Sequence, residues 1–87
     1  MYDILYSNQF EKQAKKLEKR QRRKLAQLLK IIAGNPYDSR LHSKSLTEPL
    51  SGVWSFRITR EWRVTFHFVD TTTIRLLEVK HRKDIYR

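Results

Sequence analysis

Cysteine is absent from this sequence of 87 residues, and glycine and proline occur only twice each. The lack of cysteine excludes a disulfide framework and a thiolate zinc site, and it fits a reducing compartment. Few glycines and prolines, together with 39% hydrophobic residues, are not typical of a disordered chain. A chain of this length buries only about 60% of the surface that its unfolded form exposes. We therefore expect one domain, spanning residues 1–87, with a small core.

Long hydrophobic runs and acidic residues are also scarce. No apolar stretch is long enough to cross a membrane, and the first residues, MYDILYSNQF, lack the basic start of a signal peptide. We therefore expect a cytoplasmic protein without a membrane partner. Lysine and arginine number 19 against 9 aspartates and glutamates, a formal charge of +10. Such a field attracts polyanions, so nucleic acid is the leading partner class and an acidic protein the second.

The first half of the chain predicts a strand and then helix. The segment Tyr2–Tyr6 is short and apolar with a β-branched centre, which favours a strand. Ser7 and Asn8 offer N-cap oxygens, and Asn8 with Glu11 has the form of a capping box.

The helical pattern that follows is too long for one helix. Apolar residues keep helical spacing until Gly34-Asn35-Pro36 supplies a stop signal. An unbroken helix would measure about 40 Å at ~1.5 Å per residue, which exceeds the width of such a domain. We therefore predict a helical hairpin with its break within Glu18–Arg23.

The second half predicts a loop followed by three strands. Both prolines and one glycine fall in residues 36–52, which lack periodicity. Alternating apolar residues then predict strands at Val53–Thr59 and Trp62–Phe68, and a more continuously apolar run predicts a third at Ile74–Lys80. The expected fold is α+β in the order β-α-α-β-β-β: an N-terminal strand, a helical hairpin, and an antiparallel meander with the helices packed on one sheet face.

Strand alternation predicts a basic surface on the other face of the sheet. For the apolar residues of the first two meander strands to share the buried face, the side chains between them must point away from the helices. We expect Arg57 opposite Thr65 and Thr59 opposite Arg63, with His67 on the same side. The register of the last strand stays open, so the pattern does not fix the direction of His81.

A cationic site is the chemistry that this composition allows. The three histidines, at positions 42, 67 and 81, match no metal-ligand spacing, and no glycine-rich phosphate loop or Ser-His-Asp set is present. We therefore expect no metal and no cofactor. RNA can be cut without either, by attack of the 2′-OH on the adjacent phosphorus, with arginine stabilising the phosphorane and histidine moving protons. A passive RNA-binding surface would have the same composition.

Two segments resemble a known family. The stretch LSGVWSFRITREWRVTF (Leu50–Phe66) and the ending EVKHRKDIYR are similar to the RelE/ParE superfamily of bacterial toxins, particularly its RelE and YoeB branches. The resemblance covers nearly the whole chain. It implies a type II toxin: a metal-independent endoribonuclease (mRNA interferase) that enters the ribosomal A site, contacts rRNA, cuts mRNA, and is held inactive by an acidic antitoxin.

The resemblance also implies site residues. Carried over by position, the catalytic set is Lys44, Arg57, Arg63, His81 and Tyr86. Arg63 would stabilise the phosphorane, and His81 would be the general acid. Arg57 would either take the scissile phosphate or help with the transferred charge, and Tyr86 would stack on the nucleotide or orient it.

The general base is the open assignment in this set. Lys44 stands where the YoeB type carries a glutamate base, and a lysine replaces a carboxylate base only where its surroundings favour the neutral amine. Glu48 lies nearby in the loop and is the other candidate.

Two hypotheses from other functional classes are also compatible with the sequence, in addition to the endoribonuclease. One is a ParE-like toxin that binds DNA gyrase without RNA chemistry, and the other is a non-catalytic nucleic-acid binding module. The cations at positions 57, 63 and 81 argue against the first. The sequence leaves codon preference and oligomeric state undetermined.

Overall fold

A computed structural model describes residues 1–47 and 50–85 of the chain. Its elements are β1 (Asp3–Tyr6), α1 (Asn8–Ala14), α2 (Lys19–Gly34), a short 3-10 helix (Ser39–Leu41), β2 (Lys44–Ser45), β3 (Trp54–Arg57), β4 (Trp62–Asp70), β5 (Thr73–His81) and α3 (Arg82–Ile85). The α+β order is therefore confirmed. Within residues 36–52 the structure adds the 3-10 helix and β2 to what the sequence predicted as loop.

The strands form one sheet of five in the order β1-β5-β4-β3-β2. β1 runs parallel to β5, and the remaining neighbours are antiparallel. The helices cover one face, where the apolar stripe of α2 meets the strands. The buried core contains Phe10, Leu17, Leu25, Leu28, Ile32, Leu41, Phe56, Ile58, Val64, Phe66, Ile74, Leu76 and Val79. The predicted packing of both helices on a single sheet face follows from this core.

Membrane-spanning helices were sought among the same residues. In the described ranges 1–47 and 50–85, every helix is too short or too polar to cross a bilayer.

The start of α1 is capped one residue earlier than the expected capping box. Ser7 is the N-cap, and its hydroxyl accepts a hydrogen bond from Phe10 N at 3.0 Å. The same hydroxyl donates to Leu77 O in β5 at 2.6 Å. The capping box expected at Asn8 and Glu11 is therefore wrong, because Ser7 satisfies the helix end and joins it to the sheet.

The break between the helices also comes earlier than the predicted Glu18–Arg23. α1 ends at Ala14, and α2 begins after Glu18, which is its N-cap. The side chain of Gln21 accepts from Glu18 N at 3.1 Å, which completes a capping box with glutamate in the place usually held by serine or threonine. Leu17 is buried in the turn. This cap and this apolar anchor fix the break where the sequence shows neither glycine nor proline.

A bulge in β5 decides which way the end of that strand faces. Opposite β4, Thr65 pairs with Glu78 but Phe66 pairs with Leu76, so Leu77 is an extra residue. An extra residue reverses the alternation of side chains. Ile74 and Leu76 before the bulge and Val79 after it can therefore all lie in the core.

α1 covers the part of the β5 edge that β1 leaves unpaired. The side-chain oxygen of Gln13 accepts a hydrogen bond from Val79 N at 2.7 Å. Gln13→Ala removes the acceptor from a partly buried backbone donor, and we expect a loss of about 1–3 kcal/mol in the free energy of unfolding. Urea denaturation measures it. Gln27→Ala, on an exposed position of α2, should cost far less, and equal losses in the two variants would contradict the role of Gln13.

Candidate active site

The strand register places three cations side by side on the sheet face opposite the helices. Arg57 of β3 pairs with Arg63 of β4, and Arg63 pairs in turn with Lys80 of β5. The expected register, with Arg57 opposite Thr65, is therefore wrong by two residues, although the predicted facing of both arginines away from the helices is correct. Paired side chains of this kind have Cβ atoms about 4.5–5.5 Å apart.

The turn between β3 and β4 selects the observed register. Ile58 N and Thr59 N both donate to Trp62 O, at 2.9 and 3.2 Å. The hydroxyl of Thr59 accepts from Glu61 N and Trp62 N, at 3.3 and 3.2 Å. These bonds hold Trp62 at the start of β4, whereas the expected register would have placed it within the turn.

A second row of polar side chains lies next to the three cations. Lys44 pairs with Ser55, Ser55 with Thr65, and Thr65 with Glu78 across four strands. We call the surface formed by Arg57, Arg63, Lys80, Lys44, Ser55, Thr65 and Glu78 the arginine face. The predicted site residues Lys44, Arg57 and Arg63 all belong to it.

The arginine face contains most of the unsatisfied polar atoms of the described chain. In residues 1–47 and 50–85, the buried side-chain nitrogens and oxygens without a hydrogen-bond partner are Ser55 Oγ, Arg57 Nε, Arg63 Nε and His67 Nε2. Three of these belong to the arginine face, and His67 continues the same side of β4. Leaving a buried donor unpaired costs about 1–3 kcal/mol, and such groups concentrate where a protein has another use for them.

The two arginines have no carboxylate of their own in the described chain. Ion pairs among the described residues include Arg40 with Asp38, and Lys80 with Glu78 at 3.1 Å, and neither involves Arg57 or Arg63. In the first pair, the hydrogen bond from the Arg40 side chain lowers the pKa of Asp38 to about 2. Arg63 is only 9% exposed, yet its direct neighbours across the sheet are cations. Like charges placed opposite each other destabilise a sheet, so an anion bound between them would relieve the repulsion.

His81 does not join the arginine face. It pairs with Trp62, and the two rings meet edge to face with centroids 5.3 Å apart. Trp62 contributes to a cavity with residues of α1 and α2, so both rings lie on the helix side of the sheet. His81 Nδ1 accepts a hydrogen bond from Lys83 N at 3.3 Å. The expectation that the tail histidine and the two arginines form one site is therefore wrong in this structure, because the bulge at Leu77 turns position 81 toward the helices.

Lys80 and Glu78 are the site residues that the sequence interpretation missed. The reversal of alternation at the bulge brings both to the arginine face, and a continuously apolar strand shows no sign of where a bulge will fall. Tyr86 and Glu48, the remaining candidates, lie outside the described residues. Their roles stay predictions.

A cavity of about 350 Å³ lies beside the row of cations. Its polar lining comes from Thr65, Glu78 and Lys80 on the sheet and from Ser7 and Gln9 at the start of α1. Its apolar lining comes from Leu46, Leu50, Val53, Leu77 and Ile85. Ile85 is buried although α3 is a single short turn of helix. The arginine face thus offers a place for phosphate next to a partly apolar recess.

The chemistry of this face suits a phosphodiester. Each guanidinium is planar and always charged, and it can donate two parallel hydrogen bonds to the oxygens of one phosphate. Two of them on adjacent strands are held in place by backbone pairing, so little reorganisation is needed when charge develops on the phosphate. Lys80 adds a proton donor at the β5 end of the row of cations, and Glu78 adds a proton acceptor at the β5 end of the second row.

Sequence comparison identifies a family match over most of the chain. The profile of the ParE toxin of type II toxin-antitoxin systems, parDE, matches residues 4–86. A comparison with curated proteins finds no match.

Solved structures with the same fold include bacterial toxins. YafQ from E. coli strain BL21(DE3) has a TM-score of 0.79 at 21% sequence identity, with each chain fully covered. The YoeB dimer from Staphylococcus aureus has a TM-score of 0.75 at 28% identity, covering 91% of this chain and 94% of that one. The YoeB-YefM complex from the same organism has a TM-score of 0.75 at 27% identity, covering 92% and 95%.

Proposed function

This chain belongs to the ParE toxin family of type II toxin-antitoxin systems, and on that premise we propose that it is a ribosome-dependent endoribonuclease that cuts mRNA by 2′-OH attack. The proposal follows the RelE and YoeB branch of the superfamily, which the motif LSGVWSFRIT and the similarity to YoeB both favour. Its substrate would be mRNA in the ribosomal A site of the cytoplasm. Its reaction would need neither metal nor cofactor.

The pairing of Arg57 with Arg63 is the observation that carries this proposal. If this surface served only the stability of the fold, we would expect a carboxylate between two such cations. Within residues 1–47 and 50–85, however, neither arginine forms an ion pair. Both Nε atoms are buried without a partner. A doubly charged phosphorane fits this arrangement better than a singly charged phosphodiester, which is the preference that accelerates the reaction.

We assign Arg63 to the phosphorane oxygens because it is the most buried cation of the row and lies between the other two. Arg57, which is half-buried at the end of β3, would hold the scissile phosphate. Lys44 is on the same face, opposite Ser55, and would contact the RNA backbone. Tyr86 keeps its proposed role in orienting the nucleotide.

An acidic antitoxin is the proposed protein partner. The charge of +10 must be neutralised in an inactive toxin-antitoxin complex, and an extended acidic segment can cover a large basic surface. YoeB has been seen bound to YefM, and YafQ to DinJ in a toxin-antitoxin complex. We expect the partner of this chain to cover the arginine face.

A gyrase-binding toxin is the second candidate, because the matching family profile is that of parDE. It would stop growth through trapped gyrase–DNA complexes, and its mRNA would stay intact. Gyrase binding gives no reason to align unpaired arginines on one face, which is why we place this candidate second.

Induction in a bacterial host separates the two functions. We expect growth arrest with mRNA cut inside coding regions within minutes, dependent on translation, and no accumulation of gyrase–DNA complexes. Northern blots of an abundant message and isolation of covalent gyrase–DNA adducts measure the two outcomes. Adducts with intact mRNA would replace the proposed function by the second candidate.

A further inference from the structure

We propose that Glu78 is the general base that accepts the 2′-OH proton, with its ion-pair partner Lys80 as the general acid. This inference rests on the proposed function and assigns the proton transfers within it. Neither residue was expected to take part from the sequence, and both reach the site only because of the bulge in β5.

The position of Glu78 relative to the arginines supports the assignment. Lys80 lies directly opposite Arg63, and Glu78 lies two residues farther along the strand, opposite Thr65. Diagonal neighbours of this kind are about 7–8 Å apart in the sheet, within reach of long side chains. A phosphate held at Arg63 therefore has a carboxylate and an ammonium on one side of it. An RNA strand laid along the row would place the reacting ribose beside this pair.

The cavity beside the row gives that ribose a place. Glu78 and Lys80 both contribute to its polar side, next to the apolar residues Leu46, Leu77 and Ile85. A nucleotide whose base enters this recess and whose 3′ phosphate rests on Arg63 would present its 2′-OH toward Glu78. The side chains of Glu78 and Lys80 are 35% and 36% exposed, so both are accessible to substrate.

The proton transfers balance without any other reactant. The 2′-OH gives its proton to the Glu78 carboxylate while its oxygen forms a bond to phosphorus. The bond from phosphorus to the 5′ oxygen breaks, and that oxygen takes a proton from the Lys80 ammonium. The products are a 2′,3′-cyclic phosphate and a 5′-hydroxyl. Afterwards Glu78 is protonated and Lys80 neutral, and proton exchange between them or with water restores the 3.1 Å ion pair.

The other candidates for these roles are placed less well. His81 lies on the helix side beside Trp62, so its imidazole faces away from the arginines. Lys44 and Glu78 lie at opposite ends of the second row, and β3 and β4 separate them. A carboxylate also offers acceptor oxygens for the 2′-OH proton, whereas an ammonium group offers only donors.

Single-turnover cleavage of a defined mRNA on bacterial ribosomes, measured from acidic to alkaline pH, tests the inference. The wild-type rate should fall as the pH is lowered, because a protonated carboxylate cannot act as a base. Glu78→Gln should lose about 10²- to 10⁴-fold in rate, and its remaining activity should lack this acidic decline. Glu78→Asp, which keeps the carboxylate, should retain the decline at a reduced rate. Glu61→Gln, an exposed glutamate in the β3–β4 turn, is the matched control and should match the wild type.

The outcomes distinguish this inference from the proposed function. If the wild type does not cut ribosome-bound mRNA, the proposed function fails. If the wild type cuts, Arg63→Ala does not, and Glu78→Gln keeps both the rate and the acidic decline, then only the assignment of Glu78 is overturned. A large loss in His81→Ala, with Lys80→Met unaffected, would likewise move the acid from Lys80 to His81.

Discussion

Arg63→Ala should lower the rate of mRNA cleavage on ribosomes by about 10²- to 10³-fold, the usual effect of removing one group that stabilises developing charge. Arg63 lies between Arg57 and Lys80 with its Nε buried and unpaired. Its loss therefore removes the central donor to the phosphorane. Single-turnover assays at saturating toxin measure the change, so that weaker ribosome binding does not contribute.

The same substitution should leave the fold intact. Arg63 forms no ion pair in the described chain, and its neighbours across the sheet are cations, so Arg63→Ala relieves repulsion while it removes some packing of the side-chain stem. Arg75→Ala, an exposed position farther along the same sheet face and opposite His67, is the charge-matched control. A similar loss of cleavage in both variants would mean that total charge, rather than the position of Arg63, determines activity.

Phe66→Ala should cost about 3–5 kcal/mol in the free energy of unfolding. Phe66 is fully buried in β4, and its ring contacts those of Trp54, Phe56 and Phe68 with centroids 5.8 to 6.4 Å apart. A domain of this size has only about 5–15 kcal/mol in total. We therefore expect a fall of about 12 °C or more in Tm, at roughly 4–8 °C for each kcal/mol.

Val69→Ala provides the control on the same strand. Val69 is 42% exposed and lies in the irregularity between Phe68 and Asp70. Its truncation should cost under about 1 kcal/mol. If urea denaturation gave equal losses for Phe66→Ala and Val69→Ala, the aromatic cluster would not be the centre of the core.

Hydrophobic spacing was sufficient to predict the order of elements and the two sides of the sheet. The alternation in β3 and β4 places Phe56, Val64 and Phe66 in the core, and the same alternation puts Arg57 and Arg63 outside it. That much follows from periodicity, because moving a strand by one residue would expose every apolar side chain.

Periodicity could not predict a change of strand register that keeps the same side chains buried. A shift of two residues between β3 and β4 leaves the same side chains buried, and the hydroxyl of Thr59 in the turn decides between the alternatives. Leu76 and Leu77 are adjacent and both apolar, so either could have faced the core. The bulge at Leu77 determines which of the two leucines faces the core. It also places Lys80, rather than His81, on the arginine face. The helix break was mispredicted for another reason: α2 begins with a glutamate N-cap, which is an uncommon start signal.

The ends of the cut mRNA test the central claim most directly: that paired arginines on an open sheet face hold a phosphodiester for attack by its own 2′-OH. Ribosomes carrying a defined mRNA would be treated with the wild type and with Arg63→Ala, and the fragment ends analysed by mass spectrometry. We expect a 2′,3′-cyclic phosphate and a 5′-hydroxyl with the wild type, and intact mRNA with the variant. Intact mRNA with the wild type, or the same fragments from both proteins, would contradict the claim.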